Sequence, residues 1–249
     1  KAHIERRYSA EFDRPAARLR DYVQAVQACW RAFNREERLA HDGEFYQMSL
    51  LPRDWSPKAH DHPMKVDISA VGPIMTRVAG EVADGVHVHP LHSMPYIENR
   101  LKPDLAKGAA KAGRSVDDID LIIPVFACPG DTPEEREPYV AHAKRQIAFY
   151  GSTPNYAFQF DDLGYEGTTQ RIRAKMKAGD LDTLGDEITD EMLNQYGLMT
   201  NWDDMADQLL ARYKGTASRV VMYLGTQMIR TDDRHLGKWA EVARAVRNG

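Results

Sequence analysis

The chain has 249 residues, 43% of them hydrophobic, with 33 Lys and Arg against 37 Asp and Glu and a formal charge of -4, so it has the balance of a globular protein long enough to bury a large core. A mildly acidic chain carries no electrostatic footprint for nucleic acid or an anionic membrane. No apolar run approaches the roughly 20 residues a bilayer span needs, and no signal peptide opens the sequence. Its two cysteines, Cys29 and Cys128, lack CxxC spacing and imply no disulfide framework, so a reducing cytoplasm is expected.

The first residues, KAHIERRY, begin without methionine and read as the middle of a loop, as expected of either an omitted upstream piece or a natural truncation. Arg14–Phe33 (RPAARLRDYVQAVQACWRAF) has apolar residues at helical spacing, with Asp13 as the expected N-cap and Pro15 in the first turn. Asp42–His62 is rich in Pro, His and Asp and is predicted to be a loop. Four short, β-branched-rich apolar runs follow: Lys65–Val71, Gly85–His89, Leu121–Ala127 and Arg219–Leu224. They lack strict alternation, as strands buried on both faces do. Helical patterns over Ile74–Ala83, Tyr96–Ala112, Thr132–Tyr150 and Asn201–Tyr213 lie between or beside them, and a last helix is expected from His235 to Val246. Strand alternating with helix predicts an α/β fold with a parallel sheet or barrel.

Gly151–Gly197 exceeds an ordinary crossover. Its helical patterns, Thr168–Ala178 and Thr183–Tyr196, read as a helical insertion at about 151–197. With no repeat or linker, a single domain over 1–249 is the simplest organisation. An eight-stranded α/β barrel takes about 250 residues, yet only four strands are legible, so the agreement in length misleads.

Breakers and small polar residues gather at the carboxyl ends of the strands: Gly72-Pro73, Pro90-Leu91-His92-Ser93, Pro129-Gly130-Asp131-Thr132 and Gly225-Thr226-Gln227. Ligand sites of α/β folds lie there. Gly72 lacks a Cβ, so a ligand could approach its backbone, and Pro73 suits a first helical turn whose free amides and dipole attract phosphate. A plain βα turn would use the same dipeptide, and spacing alone does not separate the two.

AVGPIMTRVAGEVADGVHVHP resembles the fifth-to-sixth-strand segment of the luciferase-like oxidoreductases, which use flavin or the deazaflavin coenzyme F420. KAHIERRYSAEFDRPAARLRDYVQAVQACW, the GEFY segment at Gly43–Tyr46, KRQIAFYGSTPNY at Lys144–Tyr156 and DEITDEMLNQYGLMTNWDDMADQLLARY resemble the same group, in consistent order over nearly the whole chain. The resemblance implies a TIM-type (β/α)8 barrel lacking its first four strands here. It implies a hydride-transferring oxidoreductase acting on a small organic substrate with coenzyme F420, FMN being the second choice, and a homodimer or a complementing chain as partner. Ala70, Val71, Gly72, Pro73 and Ile74 would form the cofactor-phosphate turn, with Arg18 near the phosphate and His89 at the cofactor. His92, Ser93 and Cys128 would border the substrate pocket, and Ile147–Pro154 could do so as well as end a helix. The catalytic acid or base would come mostly from the absent part.

Other uses remain open for these residues. Arg18 could be a solvated helix-face arginine, Cys128 a core cysteine, and His92 and Ser93 ordinary loop packing. The pairs Asp161-Asp162, Asp203-Asp204 and Asp232-Asp233 do not aim at one point and make no acid–base couple. Two other functions stay in view: a non-catalytic half-barrel that needs a complement to cover its strand edges, and a metal-dependent hydrolase using the HVHPLH run, in which His87 and His89 share a strand face.

Overall fold

A computed structural model describes residues 3–223 and 233–249. In chain order its principal elements are α1 (Pro15–Phe33), β1 (His41–Asp42), β2 (Gln47–Met48), β3 (Asp67–Ser69), α2 (Pro73–Val82), β4 (Gly85–His87), α3 (Met94–Tyr96), α4 (Lys102–Lys111), β5 (Asp120–Pro129), α5 (Pro133–Gly151), α6 (Phe158–Asp161), α7 (Thr168–Ala178), α8 (Asp190–Tyr196), β6 (Gly197–Thr200), α9 (Met205–Tyr213), β7 (Arg219–Met222) and α10 (Asp233–Asn248). Among the described residues no helix is long and apolar enough to cross a membrane. The chain forms two compact units, 1–86 with 101–120, and 87–100 with 121–249.

In the first unit, α1 buries Val23, Ala25, Ala28 and Ala32. Gln27 Nε2 donates to the Val82 carbonyl at 2.8 Å, and Arg20 pairs with Glu81 at 2.9 Å, so α1 is tied to the carboxyl end of α2. The N-cap of α1 is Arg14, in left-handed backbone, rather than Asp13; Asp13 instead accepts from Arg14 Nε at 3.2 Å. Pro15 takes the first helical position, which makes Arg14 the cap. Helices α2 and α4 cross at Gly80 and Gly108. A Cβ on Gly108 would lie 2.0 Å from the Arg77 carbonyl oxygen, and one on Gly80 2.2 Å from that of Leu105.

The segment expected to be a loop, Asp42–His62, contributes to an antiparallel hairpin of β1 and β2. Buried Asp21 on α1 closes it, accepting from the amides of Phe45 (2.6 Å) and Tyr46 (3.0 Å) and meeting His41 Nε2 at 2.6 Å. Burial raises the Asp21 carboxyl's pKa, but these hydrogen bonds outweigh it and hold the group below its ordinary range. Gly43 is required beside it, because a Cβ would fall 1.8 Å from Asp21 Oδ1.

The second unit is built on β5, nine of whose ten residues are buried. This strand pairs in parallel with β7 from Ile122–Arg219 to Val125–Met222, and with β6 from Phe126–Gly197 to Pro129–Thr200. All four predicted strands are present. Leu224, the predicted end of the last, lies outside the described residues, as do the Gly225-Thr226-Gln227 breaker and Asp232. Strand β6 is an addition. The stretch expected as one helix over Thr183–Tyr196 is a short 3-10 turn at Leu184–Glu187 followed by α8, because the Thr189 hydroxyl accepts from the Met192 amide at 3.1 Å and starts a new helix.

Candidate functional site

The residues singled out from the sequence fall in both units. In the first, Ala70 is buried, Val71 half-buried, and Gly72, Pro73 and Ile74 are exposed. Gly72 is the N-cap of α2 with an ordinary extended backbone (φ -79°, ψ 154°), and nothing lies within 4 Å of the position its Cβ would take. Neither backbone conformation nor packing therefore demands a glycine there. Pro73 occupies the first turn and no side chain caps the helix, which leaves the Ile74 and Met75 amides without an intrahelical acceptor. The Gly72 carbonyl accepts from the Thr76 amide (3.0 Å) and hydroxyl (3.1 Å), which fixes the turn. Open space with free donors and the positive end of a ten-residue helix suits an anion. Arg18 does not extend this turn through any contact observed. Its guanidinium lies 4.7 Å from the Phe45 ring centroid, with Nε buried and unpartnered.

In the second unit, His89 is half-buried between two tyrosines, its ring centroid 4.9 Å from Tyr150 and 4.6 Å from Tyr156. Its Nδ1 accepts from the Leu91 amide at 3.1 Å, so the proton of the neutral ring resides on Nε2. Burial lowers its pKa and keeps it neutral. The Tyr150 hydroxyl hydrogen-bonds that of Tyr223, and burial followed by this bond raises the Tyr150 pKa. Tyr150 and Tyr156 thus face the imidazole directly, and Tyr223 joins the patch through Tyr150.

His92, Ser93 and Cys128 are 1%, 2% and 1% exposed. His92 Nδ1 donates to the His89 carbonyl at 2.9 Å and Nε2 accepts from Tyr213 at 3.4 Å, and burial lowers its pKa to about 4. The Ser93 hydroxyl accepts from the Tyr96 amide at 3.2 Å, capping α3. Burial pushes the Cys128 thiol up to about 12. All three hold structure in place. A thiol reagent at pH 8 is accordingly expected to leave Cys128 unmodified in the folded chain and to label it only in denaturant. Mass spectrometry of alkylated peptides checks this, and rapid native labelling of Cys128 would refute it. His87 is exposed, and among the described residues no group of three His, Cys, Asp or Glu could hold a metal ion.

Sequence reasoning reached Tyr150 only as part of the Ile147–Pro154 segment and passed over Tyr156 and Tyr223 as site residues. The first two lie in the quoted KRQIAFYGSTPNY stretch, but nothing local distinguishes a tyrosine facing His89 from one filling a core.

The uncharacterized protein Rv1360 of Mycobacterium tuberculosis (strain ATCC 25618 / H37Rv) is 33% identical over 220 residues, covering 88% of this chain and 65% of that protein. The F420-dependent glucose-6-phosphate dehydrogenase of Nocardia farcinica is 35% identical over 127 residues, half of this chain and 35% of the dehydrogenase. Among solved structures, the coenzyme F420 dependent tetrahydromethanopterin reductase of Methanopyrus kandleri matches with a TM-score of 0.59 at 19% identity, over 81% of this chain and 56% of the reductase, a likeness of fold. The chain therefore spans less than two thirds of the length of these proteins. The sequence profile of the luciferase-like monooxygenases matches residues 1–219, and the chain belongs to that family.

Proposed function

We propose that the protein is an oxidoreductase that transfers a hydride between coenzyme F420, or FMN as second choice, and a small organic substrate. It would do so on a TIM-type barrel whose later strands this chain supplies. Support comes from its family and from relatives described as F420-dependent. The observation that carries the cofactor reading is the uncapped start of α2, with open space beside Gly72 where neither packing nor φ calls for a glycine. The cofactor supplies the hydride chemistry. The Ile74 and Met75 amides would hold its phosphate. Within the second unit, His89, neutral and with its tautomer fixed, offers its Nε2 proton as a hydrogen-bond donor beside the Tyr150 and Tyr156 rings.

The test is a fluorescence titration of the full-length protein with each cofactor, comparing wild type, Gly72→Ala and Gly72→Asp. A carboxylate at the helix start would repel the phosphate and take its amides. Binding should weaken by about 100-fold in Gly72→Asp, equivalent to about 2.7 kcal/mol, and far less in Gly72→Ala. The fold should persist, because the added atoms meet open space. Equal affinity in all three would remove the phosphate assignment, and wild-type affinity for neither cofactor would remove the function.

A further inference from the structure

We infer that a concavity in the first unit, at the carboxyl end of α1, binds a small ligand bearing two or more anionic groups on an apolar body. The cavity measures about 560 Å³, within the range of small-molecule sites. Ala32, Leu39 and Leu51 form its apolar side, the first two buried in a small core cluster and the third packed against it. Arg35, Arg38 and Arg53 supply its charge.

These three guanidinium groups have no ion pair or side-chain hydrogen bond among the described residues. The lining carboxylate that could answer them, Glu37, is already held by Arg31 at 2.6 Å. In the same unit Arg20 pairs with Glu81, Arg77 with Asp104, Lys65 with Asp120 and Lys111 with Glu81, whereas Arg6, Arg7, Arg18 and Lys58 have no ion pair among the described residues. What sets Arg35, Arg38 and Arg53 apart is that all three line one cavity, in a chain of charge -4. Arg35 also occupies the position just past the α1 C-cap in left-handed backbone (φ 62°), where helices usually place glycine. An arginine kept there despite that preference is explained if its side chain is needed.

Guanidinium forks match phosphate and carboxylate oxygens in pairs, and the aliphatic wall would take a hydrocarbon or ring. Leu50, 83% exposed beside the cavity, is available to cover such a ring. The Ser49 hydroxyl adds a neutral hydrogen-bonding group. None of these residues belongs to the Gly72 turn, so this site stands or falls independently of the cofactor.

Calorimetric titration of the full chain with pyrophosphate, citrate and ADP tests the proposal. Saturable 1:1 binding of pyrophosphate or citrate is expected, and the stronger of the two tells phosphate from carboxylate. ADP, which adds a ring to a diphosphate, should bind at least 10-fold tighter than pyrophosphate. The Arg35→Gln, Arg38→Gln, Arg53→Gln triple variant should lose at least 100-fold in affinity with an unchanged urea midpoint, because no internal partner is lost. Arg247→Gln, on α10, should change nothing. No saturable binding, or undiminished binding by the triple variant, would overturn the site. Binding confined to a long polyanion such as heparin would do the same, and ADP no tighter than pyrophosphate would remove the apolar part of the assignment.

Discussion

Alanine at position 108 is expected to destabilise the first unit by roughly 3 kcal/mol, the upper end of ordinary overpacking. The neighbours it would meet are backbone atoms: the Arg77 carbonyl oxygen at 2.0 Å and its carbon at 2.8 Å. A flexible side chain could swing away, but a helix backbone cannot move by an ångström without separating α2 from α4. Gly80→Ala should behave alike, with Leu105 oxygen at 2.2 Å. Helix propensity acts in the opposite sense, favouring alanine over glycine by about 1 kcal/mol in a helix interior. The sign of the change therefore distinguishes the two effects. Gly237→Ala on α10 is the control, since its Cβ would meet nothing within 4 Å and the substitution should be neutral or stabilising. Urea midpoints at constant slope give the comparison, and a neutral or stabilising Gly108→Ala would sink the argument.

Mild acid is expected to weaken the second unit well before the first. His92 titrates near 6.5 when exposed and at about 4 in place, burial being the main cause. Between those values the unfolded chain binds a proton that the folded chain refuses, so stability declines as pH falls through the window, by roughly 3 kcal/mol in all at 1.36 kcal/mol per pH unit. Burial also lowers the pKa of His89 and His142 in the same unit, and both add to the effect with the same sign. Asp21, in the first unit, behaves differently. Its carboxyl lies below the ordinary value of 3.8, so its contribution is intact above that pH and is lost only as pH falls further. Amide hydrogen exchange at pH 7.5, 5.5 and 4.5, corrected for intrinsic rates, would follow the two units separately. His92→Gln should flatten most of the slope in the second. A second unit equally protected at pH 7.5 and 4.5 would contradict the assignment.

Strand β5 was legible because a strand buried on both faces leaves a near-continuous apolar run, LIIPVFA. Strands β3, β4 and β7 were legible from their apolar runs, although β3 and β7 are only partly buried, contrary to the expectation of burial on both faces. Strand β6, only GLMT, carries too little of that signal, and its place comes from pairing with the carboxyl half of β5. The β1–β2 hairpin was hidden for a related reason. It depends on the Asp21 carboxylate on α1, remote in sequence from the amides it receives. At the site, Gly72-Pro73 was visible because breakers after a strand carry their own meaning. The partners of His89 were not individually visible, though Tyr150 fell in the Ile147–Pro154 segment, since a helical tyrosine has the same sequence signature whether it meets a ligand or a core. Burial was equally invisible at His92 and Ser93, polar residues in a turn that the chain nonetheless closes over.

The pairing of β5 bears on how the protein is made. Val125 and Met222, partners across β5 and β7, are 97 positions apart (222 minus 125). At about 5–20 residues per second, a ribosome needs roughly 5–20 s to deliver the second after the first. Throughout that interval a hydrophobic strand waits without one of its neighbours, in the form most prone to pair with another nascent chain. Yield in a cell should therefore respond to growth temperature and to holdase chaperones more than the equilibrium stability of the finished protein would suggest.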